Sequence, residues 1–311
     1  ILDCKGRTLA QLVAPPRKDP SWPNVHTGAR AELQAAAAIC PFSPDQLRHA
    51  RGRYPALSAG YSWGGGPKVP HNVNFYSPEQ AAVAQSLLDS KNIGRILGHG
   101  SSAFATFNHD TFAHYGSVLQ DIRARQPELR APSRNSVFPT VTFNFGPRAV
   151  TTPHRDAKNV PYGWCAVTAL GDFDHERGGH LVLWDLQLVI EFPAGATILI
   201  PSALITHSNA SIQQGETRLS VTQFCAGALM RWHAYGFCTE DAMRERDPAL
   251  AEAFEAAAES RWSDMVAYLP TWEGLPEQAA SGEGELETPG AGPSRLPSSS
   301  AGARSSREKK Y

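Results

Sequence analysis

Two histidines, an aspartate and an arginine are the residues from which a reaction can be built. His154 and Asp156 stand two apart in Pro153-His154-Arg155-Asp156, His207 follows 51 residues after Asp156, and Arg218 follows 11 residues after His207. Two neutral imidazoles and one carboxylate hold an ion such as Fe(II) on one face and leave its other positions open. Alternate residues of a strand point the same way, so His154 and Asp156 are expected to reach one ion from one strand while Arg155 faces elsewhere. Arg218 opens an apolar run, Leu219-Ser220-Val221-Thr222-Gln223-Phe224. A cation turned into a β-sandwich needs a buried anion. A dicarboxylate co-substrate gripped through two hydrogen bonds supplies one, and Ser220, on the same face, adds a hydroxyl donor.

Taken singly, each residue has a plainer account. His154 reads as a loop histidine, His207 as a satisfied histidine near a strand end, and Arg218 as half of a structural ion pair or an outward-facing cation. His-x-Asp alone is a weak pattern in a chain with 11 histidines. The combination, in this order and inside one strand-rich block, points to a metal with an acidic co-substrate beside it.

The elements that must position these residues begin at Ser136. Val137, Val141, Phe143 and Phe145 alternate with smaller or polar residues, the period of a strand. Further short runs follow over 164–170, 180–184, 188–192, 196–201 and 218–224, separated by turn signals at Gly171-Asp172, Gly178-Gly179 and Pro193-Ala194-Gly195. Short strands at this spacing with no helical period between them indicate an antiparallel sandwich or jelly roll. Upstream, Arg30 to Cys40 is alanine-rich and stops at Pro41, which predicts a helix. Ser43-Pro44 is a candidate start for another. Ser77-Pro78-Glu79-Gln80 has the form of an N-cap followed by Pro at the first helical position, with a helix to about Asn92. Asp110 to Arg125 repeats an apolar face through Phe112, Tyr115, Leu119 and Ile122. Helix returns at Glu240 and again after Asp247-Pro248, where Leu250, Phe254, Ala257, Ala258, Trp262, Met265 and Leu269 read as a core stripe. The resulting division is a helical portion over 1–135, a β-core over 136–239, helices over 240–278 and a disordered Gly/Ser/Pro-rich tail over 279–311.

The bulk composition excludes more than it proposes. The chain has 311 residues, 41% hydrophobic, with a formal charge of -1. That is enough apolar content for a sizeable core, with no global charge bias toward nucleic acid. No apolar run reaches the length of a membrane span. Gly64-Gly65-Gly66 lacks the Lys-Ser/Thr of a phosphate loop and reads as a flexible turn. Five cysteines without a Cys-x-x-Cys pair argue against a zinc site or a disulfide framework and fit the nucleus or cytoplasm. The first residue, Ile1, reads as that of a fragment.

His154-x-Asp156, His207, Arg218 and the turn Gly178-Gly179-His180-Leu181 together resemble the pattern of the 2-oxoglutarate, Fe(II)-dependent dioxygenases, over about 136–224. The resemblance implies an α+β fold, a double-stranded β-helix buttressed by helices. It also implies Fe(II) on His154, Asp156 and His207 as the catalytic centre. Arg218 would hold the far carboxylate of 2-oxoglutarate, with help from Ser220 and Arg148. The chemistry implied is decarboxylation of 2-oxoglutarate by dioxygen coupled to oxidation of a substrate C–H bond. The close spacing, with Arg rather than Lys at 218, looks most like the TET and J-binding-protein nucleobase oxygenases, and the long helical N-terminal portion looks like their fungal branch. On that likeness Asn159 contacts the target base and the partner is DNA bearing a methylated base. Tyr162 is a candidate substrate residue because a pocket would use aromatic rings to stack a planar substrate, and a monomer is expected. Ala226 stands near the place where that group carries a base-contacting histidine, since none follows Arg218 before His233. Duplex DNA requires local cations and a flipped base. Arg48, Arg51 and Arg53 in one candidate helix, and Arg123, Arg125, Arg130 and Arg134 in another region, are the clusters available. Two other readings stand beside this: the same chemistry on a protein side chain or small molecule, as in prolyl-hydroxylase-like enzymes, and a non-catalytic β-sandwich that binds a ligand.

Overall fold

The computed structural model describes residues 1–257 and 260–271. The tail reading over 279–311 therefore lies outside the described residues. The elements run β1 (Gln11–Val13), α1 (Trp22–Ile39), β2 (Ala56–Ser62), β3 (His71–Asn72), α2 (Pro78–Asp89), α3 (Lys91–Phe107) and α4 (His109–Arg125), then β4 (Thr140–Asn144), β5 (Cys165–Asp172), β6 (Leu181–Leu183), β7 (Leu188–Ile190), β8 (Thr197–Ile200), β9 (His207–Asn209) and β10 (Thr217–Phe224), and finally α5 (Gly227–Ala234), α6 (Glu240–Arg246), α7 (Pro248–Ala256) and α8 (Arg261–Val266).

Two antiparallel sheets face each other. The larger has the order β1-β8-β5-β10-β4-β2-β3, the smaller β7-β6-β9. The smaller sheet gains a fourth rung where His154 pairs with His207 through a single β-bridge. This is the antiparallel sandwich expected from the strand pattern, in the form of the double-stranded β-helix that the resemblance implies.

Strand alternation decides what each face of the larger sheet meets. On β10, Leu219 and Val221 join Val141 and Phe143 of β4 under α1, α2 and α3. Arg218, Ser220 and Thr222 point the opposite way, into the space between the sheets. Ile198 and Ile200 of β8 and Ala169 of β5 meet Leu181 and Leu183 of β6 across that space. Gly171, which faces Arg218 across the β5–β10 pair, has φ +139. A Cβ there would collide with the Thr217 carbonyl, so only glycine lets the two strands stay this close.

The helices show where local pattern sufficed. Ser77 accepts from the Gln80 amide and Asp247 from the Leu250 amide, each followed by Pro in the first turn. α1 begins at Trp22, eight residues before Arg30, because Trp22, Val25, Ala29, Leu33 and Ala36 form one buried stripe. No helix starts at Ser43; that segment makes turns and leads into β2. β1, β2 and β3 all come from the first 135 residues, so that portion supplies strands to the larger sheet as well as helices that cover it. The expected C-terminal stripe is split among α6, α7 and α8. Leu269 is buried, Leu250, Phe254 and Met265 are half-buried, and Ala257 is exposed. No helix among the described residues is long and apolar enough to cross a membrane.

Candidate metal and co-substrate site

His154 and Asp156 do not lie on a regular strand. Pro153 removes a donor from the approach, and the chain pairs with β9 at one residue only. The His154 amide donates to the His207 carbonyl (3.1 Å) and the His207 amide donates back to the His154 carbonyl (2.9 Å). The Asp156 amide donates to the Ser202 carbonyl (2.9 Å) in the turn before β9. Main-chain bonds from two distant segments thus set the positions of all three side chains.

The geometry suits one ion. Ligand atoms of His154, Asp156 and His207 all lie within 4.8 Å of one another. His154 Nε2 is 3.8 Å from Asp156 Oδ1, and His207 Nε2 is 4.0 Å from Asp156 Oδ2. Each imidazole is also oriented from behind. His154 Nδ1 bonds to the Thr152 carbonyl (2.8 Å) and His207 Nδ1 to the Ile205 carbonyl (2.9 Å). A carbonyl can only accept, so Nδ1 carries the proton and Nε2 presents its lone pair to the centre of the triad. Burial lowers the pKa of His207, which favours the neutral imidazole a metal requires.

A small cavity of about 50 Å³ adjoins this triad. At its far end Arg218 is 3% exposed. One guanidinium nitrogen donates to the Ala149 carbonyl (2.9 Å), and the plane lies 5.9 Å from the Phe192 ring centre. Nε has no hydrogen-bond partner, and no carboxylate pairs with this arginine among the described residues. Burial pulls its pKa down to about 10, still well above neutrality, so the charge persists. Ser220 and Thr222 hydroxyls accept from Asn144 Nδ2 at 3.0 and 3.2 Å, while Asn144 Oδ1 is left unpaired. Buried polar groups are normally satisfied. The unused donors of Arg218 therefore fit a dicarboxylate, and two imidazoles with one carboxylate fit Fe(II).

The remaining expected site residues lie elsewhere. Arg148 pairs with Arg218 through the backbone only; its guanidinium donates to the Ile212 (2.7 Å) and Gln213 (3.1 Å) carbonyls, away from the cavity. Asn159 lies on the loop that follows Asp156, and its amide donates to Ser202 Oγ (3.2 Å) and Cys165 Sγ (3.3 Å). The Tyr162 hydroxyl meets His114 (3.1 Å), and its ring stacks on Tyr268 against α4. His233 pairs with Asp121 (3.0 Å), and the Gly64 loop packs against Ala228 of α5. Asn159→Ala is accordingly expected to destabilise the fold by about 1 kcal/mol in urea unfolding, the worth of an ordinary side-chain hydrogen bond. Unchanged stability with activity lost on one substrate would instead place Asn159 against substrate.

Several cavity residues escaped sequence reasoning, among them two from the N-terminal portion. Arg51 and Tyr54 both line the cavity, from the segment just before β2. Arg51 was expected on a helix facing phosphate, and no local signal in the sequence marks Tyr54 as a site residue.

The fold is that of the 2-oxoglutarate, Fe(II)-dependent oxygenases. NgTET1, solved in complex with 5mC DNA, is similar at a TM-score of 0.50 and 14% identity, over 72% of this chain and 74% of that one. A Pseudomonas putida prolyl-4-hydroxylase matches at a TM-score of 0.38 and 14% identity, over 70% of this chain and 92% of that one. OsALKBH1 does so at a TM-score of 0.38 and 14% identity, over 70% and 98%. No protein-family model and no curated protein matches the chain.

Proposed function

We propose that the chain is an Fe(II)- and 2-oxoglutarate-dependent dioxygenase. The observation that carries this is Arg218: a buried cation with no anionic partner among the described residues, at the inner end of a cavity whose mouth holds His154, Asp156 and His207. An uncompensated buried charge is costly, and a resident dicarboxylate removes the cost. When bound, Fe(II) with 2-oxoglutarate supplies the activation of dioxygen and the oxidising power for a C–H bond. The chain's own residues orient the parts. His154, Asp156 and His207 hold the ion, Arg218 anchors the distal carboxylate, and the apolar walls Val167, Leu181, Phe192 and Ile200 exclude water from the inner end.

The substrate we propose is a methylated nucleobase in DNA, 5-methylcytosine or N6-methyladenine, oxidised by a monomer in the nucleus or cytoplasm. Support comes from cations at the mouth. Arg51 is half-buried beside the triad, while Arg48, Arg53 and Lys158 are exposed on the segments that flank it. Such a rim matches a polyanionic backbone. The fold likeness to NgTET1, a protein solved with 5mC DNA, points the same way.

The test is an assay of succinate release by the purified chain with Fe(II), 2-oxoglutarate and ascorbate. Stimulation by methylated duplex DNA over unmethylated duplex is the expected result. Stimulation by a peptide or small molecule alone would move the substrate to the protein-hydroxylase class. Absence of succinate with every substrate, together with no metal bound, would leave a ligand-binding sandwich.

A further inference from the structure

Arg155 stands between the two ligands of the His-x-Asp pair and is exposed. Its Nε donates to Thr206 Oγ1 (2.9 Å), and one of its terminal nitrogens reaches both Asp185 oxygens, each at 3.2 Å. Asp185 also accepts from the Thr206 amide (2.6 Å). Hydrogen bonds from the Thr206 amide and hydroxyl hold the Asp185 carboxyl below its usual range, so it faces Arg155 as an anion. Asp185 belongs to a single 3-10 turn, Trp184–Leu186, closed by Gln187 in the left-handed region (φ 54). Beside it, the Trp184 amide donates to the Thr206 carbonyl (2.9 Å) and the Trp184 indole N–H to Ser208 Oγ (2.9 Å). One turn thus holds the residues on both sides of His207 and the residue between His154 and Asp156.

Exposed ion pairs contribute little to stability, so stability does not account for this arrangement. Geometry does. The segment carrying His154 meets β9 through one β-bridge, and a single rung lets paired segments twist about it. A metal centre needs its ligand atoms held within about 0.5 Å. The side chains of Arg155, Thr206 and Asp185 add a second point of attachment on the outer side of the smaller sheet. We propose that Asp185 is a positioning residue for the metal centre: through Arg155 and Thr206 it sets the spacing between the His154–Asp156 segment and His207, and with it the affinity for the ion. This inference rests on the metal-binding part of the dioxygenase reading.

The experiment titrates Mn(II) calorimetrically into the whole chain, comparing the unaltered protein with Asp185→Ala, Arg155→Ala, the double variant and Asp156→Ala. Each of the first two is expected to raise the dissociation constant about tenfold, as loss of a group that orients metal ligands does. The double variant is expected to lose about tenfold as well, because both changes undo one brace. The melting temperature of the ion-free chain should stay within about 2 °C of the original. Arg155→Ala leaves the Thr206 amide bonded to Asp185, so it tests the brace even where Asp185→Ala disturbs the turn. Unchanged Mn(II) affinity in both single variants, with binding lost in Asp156→Ala, overturns the role of Asp185 and leaves the metal site standing. A loss of about a hundredfold in the double variant also overturns it, since the two residues then act separately. No Mn(II) binding to the unaltered chain overturns both the brace and the metal site.

Discussion

Replacing Arg218 by methionine is expected to weaken 2-oxoglutarate binding by about a hundredfold or more while raising the melting temperature of the ligand-free chain. The two effects have one cause. Without a co-substrate the guanidinium is 3% exposed, bonded to one carbonyl, and carries an unpaired Nε. Exchanging buried ionic groups for apolar ones of similar volume commonly stabilises by about 1–4 kcal/mol. For a chain of this size that is several degrees, at about 2–4 °C per kcal/mol. With the dicarboxylate bound, the same group makes charge-assisted hydrogen bonds worth about 1.5–3 kcal/mol each, and two of them account for the lost affinity. Calorimetric titration and thermal melting of the two proteins check both halves. A fall in melting temperature with unchanged affinity would make Arg218 a structural cation and remove the main support for the proposed function.

The second large effect is expected at Asp156. In the unaltered chain Mn(II) at about a hundred times its dissociation constant should raise the melting temperature by about 5–10 °C, because an ion that binds only the folded state adds about 2.7 kcal/mol at that ratio. Asp156→Ala should abolish that shift. The two imidazoles remain, held by the Thr152 and Ile205 carbonyls, but the only anionic ligand of the triad is gone. Melting curves with and without the metal measure this directly. A shift that survives Asp156→Ala would place the ion elsewhere.

The β-core was legible because its signals are local or one strand long. Arg218, Ser220 and Thr222 alternate with Leu219 and Val221, and the alternation alone assigns them to opposite faces. The caps at Ser77 and Asp247 are equally local. α3 was missed although Ile93, Ile96, Leu97 and Phe104 are buried along it, because Gly94, Gly98 and Gly100 interrupt the pattern. Asn159 shows a different limit. Spacing from Asp156 puts it on the loop that follows that ligand, but Cys165 and Ser202 on other segments decide where its amide points. Arg51 and Tyr54 were out of reach for a third reason. The turn that carries them is shaped by contact with 150–152, about a hundred residues away, and no period or cap records such a contact.

The larger sheet ends in β1 on one side and in β2 and β3 on the other, all drawn from the first 72 residues. The block over 136–239 that holds the metal ligands is therefore not a transferable module. Cut out by itself, it would bare the rims of β8 and β4, rows of open amides and carbonyls that invite pairing with other chains. Recombination that moved this chemistry between proteins would have had to carry the opening strands with it. The unit of inheritance is then longer than the unit of chemistry, and a search for relatives confined to the motif region would look at too short a stretch.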